Sequence, residues 1–434
     1  MTATLLLLRY ATLMKRAICL VIFLLGSVWA QGTLRDAFER LGVDTSRSNI
    51  SVEDVLSGGP PPQGIPALGF TGDWQEVASA SESPTFVSQE DAAAWLSEEE
   101  PVVVLSLAED AKIYPLQILM WHEIVNDTLG GVPVAVTFCP LCNSALAFDR
   151  RIPLGEAALG RVQEINTEVE TVALDSSFAN AYAAQEGEDA PVSTGVEVTF
   201  GVSGLLYNSN LLMFDTQTST LWSQILGEGN IGTLTDTALL RLPAQIVSFA
   251  QAKEAFPDSS VLSRDTGYRR SYGQNPYVGY DAVGSPAFLF QGVTDGRLTP
   301  KARVVSVVQG AETAAYPFEV LTQEHVINDA LNGVPLTVFW QAGTASALDS
   351  ASIAEGQDVG AVGVFSRRLR DRVLTFEWQG GAFVDTETNS TWNLLGEATS
   401  GELEGERLSP VNHDNTFWFA WAAFKPGTRV YLGE

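Results

Sequence analysis

Two cysteines three positions apart, in Val136-Thr-Phe-Cys139-Pro-Leu-Cys142-Asn-Ser-Ala145, are the residues whose types and spacing point most directly to chemistry. Three uses fit such a pair. Two thiolates grip one soft cation, copper or zinc, with further donors completing about four ligands for zinc. Two thiols exchange with disulfides, which makes Cys139 and Cys142 redox candidates. Joined to each other they staple the chain, although closing so short a loop removes little entropy.

The chain offers three imidazoles, His122, His325 and His413, of which His122 is nearest in sequence to the pair. The leading expectation is a soft-metal site, copper or zinc and open to a redox role, on Cys139, Cys142 and His122 with a carboxylate or Met to complete it; the alternatives are a thiol-disulfide oxidoreductase and a non-enzymatic binding module held by a structural disulfide. A second group is the Ser203-Gly204…Tyr207-Asn208-Ser209 stretch, which supplies Ser203, Gly204, Tyr207 and Asn208 as candidate cofactor-binding residues. A β-branched run ending in Cys-x-x-Cys resembles the placement of a thioredoxin-type motif, where the first sulfur sits at a helix start. The following Asn143-Ser-Ala-Leu-Ala-Phe-Asp149-Arg-Arg is a poor helix. No Gly-rich phosphate loop, His-Glu-x-x-His helix or Gly-x-Ser-x-Gly elbow is written in the chain. These residues leave open whether the protein is an enzyme, and they identify neither a small ligand nor a protein partner.

The elements that must position these residues occur twice. YPLQILMWHEIVNDTLGGVPVAV at 114–136 and YPFEVLTQEHVINDALNGVPLTV at 316–338 align without a gap at an offset of 202. Further on, FDTQTSTLWSQILGE (214–228) answers VDTETNSTWNLLGE (384–397), and FAQAKEAFP (249–257) answers FWFAWAAFKP (417–426). The pattern predicts a sheet-rich α+β protein, a tandem duplication of two related units packed side by side. In each unit a strand (102–107; 303–308) leads to a helix beginning near Tyr-Pro, with Pro115 or Pro317 at the first helical position. Leu116, Leu119, Met120 and Ile124 follow helical spacing and face the core. Asn126-Asp127 and Gly130-Gly131 end the helix, VPVAVTF forms the next strand, a hairpin turns at DTQT or DTET, and a short helix closes the unit.

The repeat also sorts the candidates. Residues present in both copies (Tyr114/Tyr316, Asn126/Asn328, Asp127/Asp329, Asp215/Asp385, Trp222/Trp392) read as architecture. Cys139-Pro-Leu-Cys142 is replaced by Gln341-Ala-Gly-Thr344, and His122 aligns with Glu324, so chemistry belongs to the first unit. The organisation is a leader over 1–30, a lead segment over 31–100 with a short amphipathic helix at 31–49 and ordered loop beyond, unit one over 101–262, a connector over 263–300 and unit two over 301–434. Leu146 to Phe200 spans 54 positions against 28 for Leu348 to Phe376; this acidic, Ala/Ser-rich insertion reads as an exposed loop.

The leader shows Met14-Lys15-Arg16, an apolar run from Ala17 to Gly26 and a cleavage site at Val28-Trp29-Ala30, the pattern of a cleaved signal peptide. Its apolar run is short of the ~20 residues that span a bilayer. Periplasmic or secreted localisation follows, where paired thiols meet oxidants. The formal charge of −27 includes three leader cations, Arg9, Lys15 and Arg16, and no leader acids, so the processed chain carries −30. Such a surface disfavours nucleic acid and anionic membranes as partners.

GGPPPQGIPAL (58–68), YPLQILMWHEIVND (114–127), VPVAVTFCPLCNSALAFDR (132–150) and TFGVSGLLYNSNLLMFDTQTSTLWSQ (199–224) resemble the exported bacterial and archaeal proteins of domain-of-unknown-function family 3179. The likeness covers most of 55–265, and unit two extends it to the C-terminus. The resemblance implies export and a conserved core, and it brings no established activity. The acidic insertion before Val196 departs from the family pattern and bears on access to the site more than on its chemistry.

Overall fold

The computed structural model describes residues 34–70, 83–108, 110–186 and 193–433, so the leader lies outside the described residues. The β-branched Pro101–Leu107 is a buried strand that pairs antiparallel with Asp110–Pro115, from Val102 opposite Pro115 to Leu107 opposite Asp110. Tyr-Pro therefore ends a strand, and Pro115 caps the helix Leu116–His122 instead of opening it. Leu116, Leu119 and Met120 are buried as expected.

The helix stops earlier than the sequence reading has it. Glu123 takes a left-handed φ of 56° and turns the chain into a strand, Ile124–Leu129, which carries buried Ile124 and also Asn126 and Asp127. These two residues are thus not helix terminators. Asn126 donates to Phe200 O (2.9 Å) and accepts from Phe200 N (2.7 Å), a two-bond clamp on another segment's backbone. Asp127 accepts from the Tyr114 hydroxyl at 2.8 Å. Gly130 and Gly131, both at positive φ, then reverse the chain into Val132–Cys139. That strand lies between Ile124–Leu129 and Ser144–Asp149, with Arg241–Leu242 at the edge.

The same order recurs over the second half. Arg303–Gln309 pairs with Glu312–Pro317, the helix Phe318–Glu324 ends at His325 with φ 59°, and Val326–Leu331 pairs with Val334–Gln341. Asn328 clamps Phe376 through bonds of 2.7 and 3.0 Å, and Tyr316 donates to Asp329 at 2.8 Å. Both Asp-Thr hairpins are locked alike. Asp215 accepts from Thr218 Oγ1 (2.7 Å) and Trp222 Nε1 (2.8 Å), and Asp385 accepts from Thr388 Oγ1 (2.8 Å) and Trp392 Nε1 (3.0 Å).

Closing strands reach across between the halves. Ala244–Ser248 pairs with Pro101–Leu107 and also contacts Ala361–Ser366; His413–Phe417 pairs with Arg303–Gln309 and also contacts Ser144–Asp149. The largest apolar core accordingly mixes Val103, Phe138 and Trp222 with Val304, Phe417 and Trp421. The architecture is sheet-rich α+β.

The acidic insertion is not an exposed loop. It folds into strands Arg151–Pro153, Thr171–Ala173 and Thr194–Glu197 with helices Glu156–Ile165 and Ser176–Glu186. A few apolar residues, Leu174, Phe178 and Tyr182, pack on Leu240 and suffice to anchor it. In the lead segment, residues 34–41 are helical and bury Ala37, Phe38 and Leu41. Beyond it are short elements including Val55–Ser57, Phe86–Val87 and Gln89–Ala92. The connector has no helix or strand among its residues, only an isolated bridge from Gln274 to Ser352. Among the described residues no helix is long and apolar enough to cross a membrane.

Candidate functional site

Strand pairing runs up to Cys139 opposite Ser144, so Pro140-Leu-Cys142-Asn143 is the hairpin loop between adjacent strands. Cys142 N donates to Cys139 O (3.2 Å), and Asn143 at φ 53° turns the chain into Ser144–Asp149. A strand follows the pair where a thioredoxin-type motif has a helix. Both thiols are unbridged and buried, at 2 % and 0 % exposure.

The two sulfurs converge on one acceptor, Ser209 O, at 3.8 Å from Cys139 Sγ and 3.4 Å from Cys142 Sγ. Asn210 Nδ2 lies 3.6 Å from Cys142 Sγ and donates to Gln224 Oε1 at 2.8 Å. Gln224 in turn donates to Thr137 Oγ1 at 3.0 Å. The second half closes the far side: Thr416 Oγ1 (3.0 Å) and Phe417 N (2.8 Å) donate to Cys142 O, and Asp414 accepts from Ser144 Oγ (2.5 Å) and Ala145 N (3.0 Å). Burial raises the Asp414 carboxyl to about 7.

The thiols differ electrostatically. Burial opposes ionisation of Cys139, but donation from the Cys142 thiol and from the N–H groups of Leu211, Cys142 and Leu141 outweighs it and lowers its pKa. Burial pushes Cys142 well up, and the charge on Cys139 adds to the rise. Turn amides do here what a helix N-terminus does elsewhere.

The connector roofs the pair. Ser209 Oγ donates to Phe288 O at 2.5 Å, and Phe288 N donates to the Tyr280 hydroxyl at 3.2 Å. Burial raises the pKa of both Tyr277 and Tyr280; Glu123 and then Cys139 add to the rise at Tyr277, and Cys142 and Cys139 add to it at Tyr280.

His122 does not join the cysteines. It is fully buried, with Nδ1 against Pro66 O (2.7 Å) and Nε2 against the Tyr272 hydroxyl (2.6 Å), so both ring nitrogens are taken. Burial lowers it to about 4, and it stays neutral above that. The left-handed turn gives the place beside Cys139 to Glu123, whose carboxyl burial raises well above its ordinary value, with the Cys139 charge adding. Among the described residues no three His, Cys, Asp or Glu side chains assemble to hold a metal ion.

Ser203 and Gly204 are scaffold residues. The Ser203 hydroxyl bonds Leu212 O and Leu205 N within a bulge, and Gly204, at φ 73°, lies so close to Pro60 O that a Cβ would come within 2.1 Å of it. Tyr207 rests on Phe424. Asn208 and Ser209, both at positive φ, form the two-residue turn between Gly201–Tyr207 and Asn210–Asp215. The loop therefore does reach the cysteines, but through Ser209 O and Asn210. The Asn-Ser turn signal at 208–209 marks where it bends toward the pair. Glu123, Asp414 and the connector tyrosines carry no such local signal.

No curated protein and no solved structure matches the chain. Residues 62–428, from the lead segment through both cysteines to the closing helix of the second half, match the family described as protein of unknown function (DUF3179), and the chain belongs to that family.

Proposed function

We propose that Cys139 and Cys142 form a redox dithiol that reduces a disulfide substrate. One observation carries this reading: at one hairpin tip two unbridged thiols converge on the same carbonyl, Ser209 O, close enough in sequence and space to act as a pair. Cys139 thiolate attacks one sulfur of the substrate disulfide and expels the other as thiolate. Cys142, losing its proton, attacks Cys139 Sγ, forms the Cys139–Cys142 bond and releases the second substrate thiol. The dithiol gives up two electrons, and the disulfide takes them. The signal-peptide pattern of the leader supports this reading, since disulfides persist outside the cytoplasm.

Cys142→Ser is the test. It is expected to trap a mixed disulfide on Cys139 that the native pair resolves, read by intact mass. Elemental analysis of the same protein, purified without a chelating tag, decides against this reading if it finds stoichiometric copper that Cys142→Ser abolishes.

The matching Asn clamps, Tyr–Asp bonds and Asp-Thr-Trp hairpins support the reading of the two halves as a duplication, units 101–262 and 301–434, in which the second serves as partner to the first.

A further inference from the structure

Lys301 opens the second half at the end of the connector and is 2 % exposed. Its Nζ has no hydrogen-bond partner. It sits 3.0 Å from the centroid of the Tyr280 ring, 4.7 Å from that of Phe417 and 5.1 Å from that of Phe419. The three rings attract an ammonium, but burying one without a hydrogen-bond acceptor still costs folding free energy. Two of its aromatic neighbours belong to the thiol site: Phe417 N holds Cys142 O, and Tyr280 is bonded to the Phe288 amide of the roof.

We infer that Lys301 is a positioning residue for the second step of dithiol exchange: its ammonium offsets the charge that develops on Cys142 when that thiol becomes the attacking thiolate. The inference rests on the redox reading of the pair.

The chemistry needs such a group. Once Cys139 is in mixed disulfide, its favoured thiolate is gone, and Cys142 must ionise in a buried site that already holds Asp414 and Glu123. The charges that act on Lys301 are Asp281 of the connector and Cys142 of the hairpin, which favour its ammonium, and Arg303, which opens the next strand and opposes it, while the Tyr280 ring lies against the amine. Asp281 is engaged with Arg303 through Oδ2 at 2.7 Å, and its buried Oδ1 has no hydrogen-bond partner. Arg241 acts on Asp414, and burial opposes its charge. Burial also lowers Lys301, to about 7, while Cys142 and Asp281 favour its charge. Its ammonium is therefore most fully formed when Cys142 is ionised. In the step, the Cys142 proton passes to water, the Cys142–Cys139 bond forms, and the Cys139–substrate bond breaks with the electron pair leaving on the substrate sulfur.

Dithiodipyridine is the probe, because each thiol step releases one coloured thiopyridone. The first release measures attack by Cys139 and is referenced to Cys142→Ser; the second measures resolution. Lys301→Met is expected to leave the first release unchanged, to slow the second about tenfold, and to displace its pH profile upward. Lys301→Arg, which keeps a cation in place, is expected to restore most of that rate. Equal second-release rates in native protein and Lys301→Met overturn the inference, and so does equal slowing of both releases, which marks a structural role. Failure of native Cys139 to react at all, with both thiols counted after denaturation, sinks the redox reading itself.

Discussion

The two central hairpins share a frame and differ at the tip. In the first half, strands Val132–Cys139 and Ser144–Asp149 are joined by four residues, with one thiol on the last strand residue and the other in the loop. In the second, Val334–Gln341 and Ala361–Ser366 are joined by residues 342–360, organised around a carboxylate: Asp358 accepts from Gly343 N (2.9 Å), Thr344 N (3.1 Å) and Gly360 N (2.8 Å). Beneath both tips lie the same Asn clamp, the same Tyr–Asp bond and the same left-handed residue after the helix, Glu123 or His325. The closing strands obey the same register, with Gln245 opposite Val104 and Asp414 opposite Ser306. The lesson is that the frame tolerates a change of tip, and that both halves supply polar groups beside the thiols, Ser209 and Asn210 from the first and Asp414 and Thr416 from the second.

The largest expected effect tests whether the frames are equivalent. Asp215→Ala and Asp385→Ala each strand an indole N–H and a turn amide in the interior, and each is expected to cost about 3 kcal/mol in urea unfolding. Only Asp215→Ala, which loosens the strand carrying Asn210, is expected to speed thiol alkylation. Equal acceleration by both breaks the division of labour.

Asn126→Ala and Asn328→Ala sharpen it. Asn126 is buried and makes a third bond, to Leu68 O at 3.1 Å, whereas Asn328 is exposed. Losses of roughly 2–3 and about 1 kcal/mol respectively are expected, again from urea unfolding.

The smallest effect is one of pH. Because burial raises Asp414 to about 7, its protonated form favours the fold, and that contribution fades as pH rises from the ordinary carboxylate range toward about 7. Asp414→Asn, which matches the neutral Gln245 of the other half, is expected to flatten this part of the stability–pH curve. Gln245→Ala is expected to leave the curve's shape unchanged. An unaltered slope in Asp414→Asn means the carboxyl is not the group responsible.

Much of the frame is legible in the sequence because it is local. The β-branched runs at 101–107 and 132–139, the helix after Tyr-Pro and the Asp-Thr turns announce themselves by period and turn chemistry. Repetition marks Asn126 and Trp222 as architecture, although Asn126 acts in a strand, through a partner 74 residues away. The site is less legible because the groups around the two thiols are assembled over long range. Nothing near Cys139 in sequence points to Asp414 or Lys301, and the left-handed Glu123 exchanges the roles of two adjacent residues, turning His122 away. Average composition misleads at 151–197, where a handful of apolar residues fold an acidic segment.

One bond between the halves has a consequence in time. Thr416 meets the Cys142 carbonyl across 274 residues of chain. At the ~5–20 residues per second of synthesis, the thiols emerge roughly tens of seconds before the strand that seals them exists. Until then the pair is an open dithiol on an unfinished sheet, and contacts of such separation form slowly even once the whole chain is present. The oxidation state in which the protein is born is therefore set by a race between oxidants and the arrival of its C-terminus.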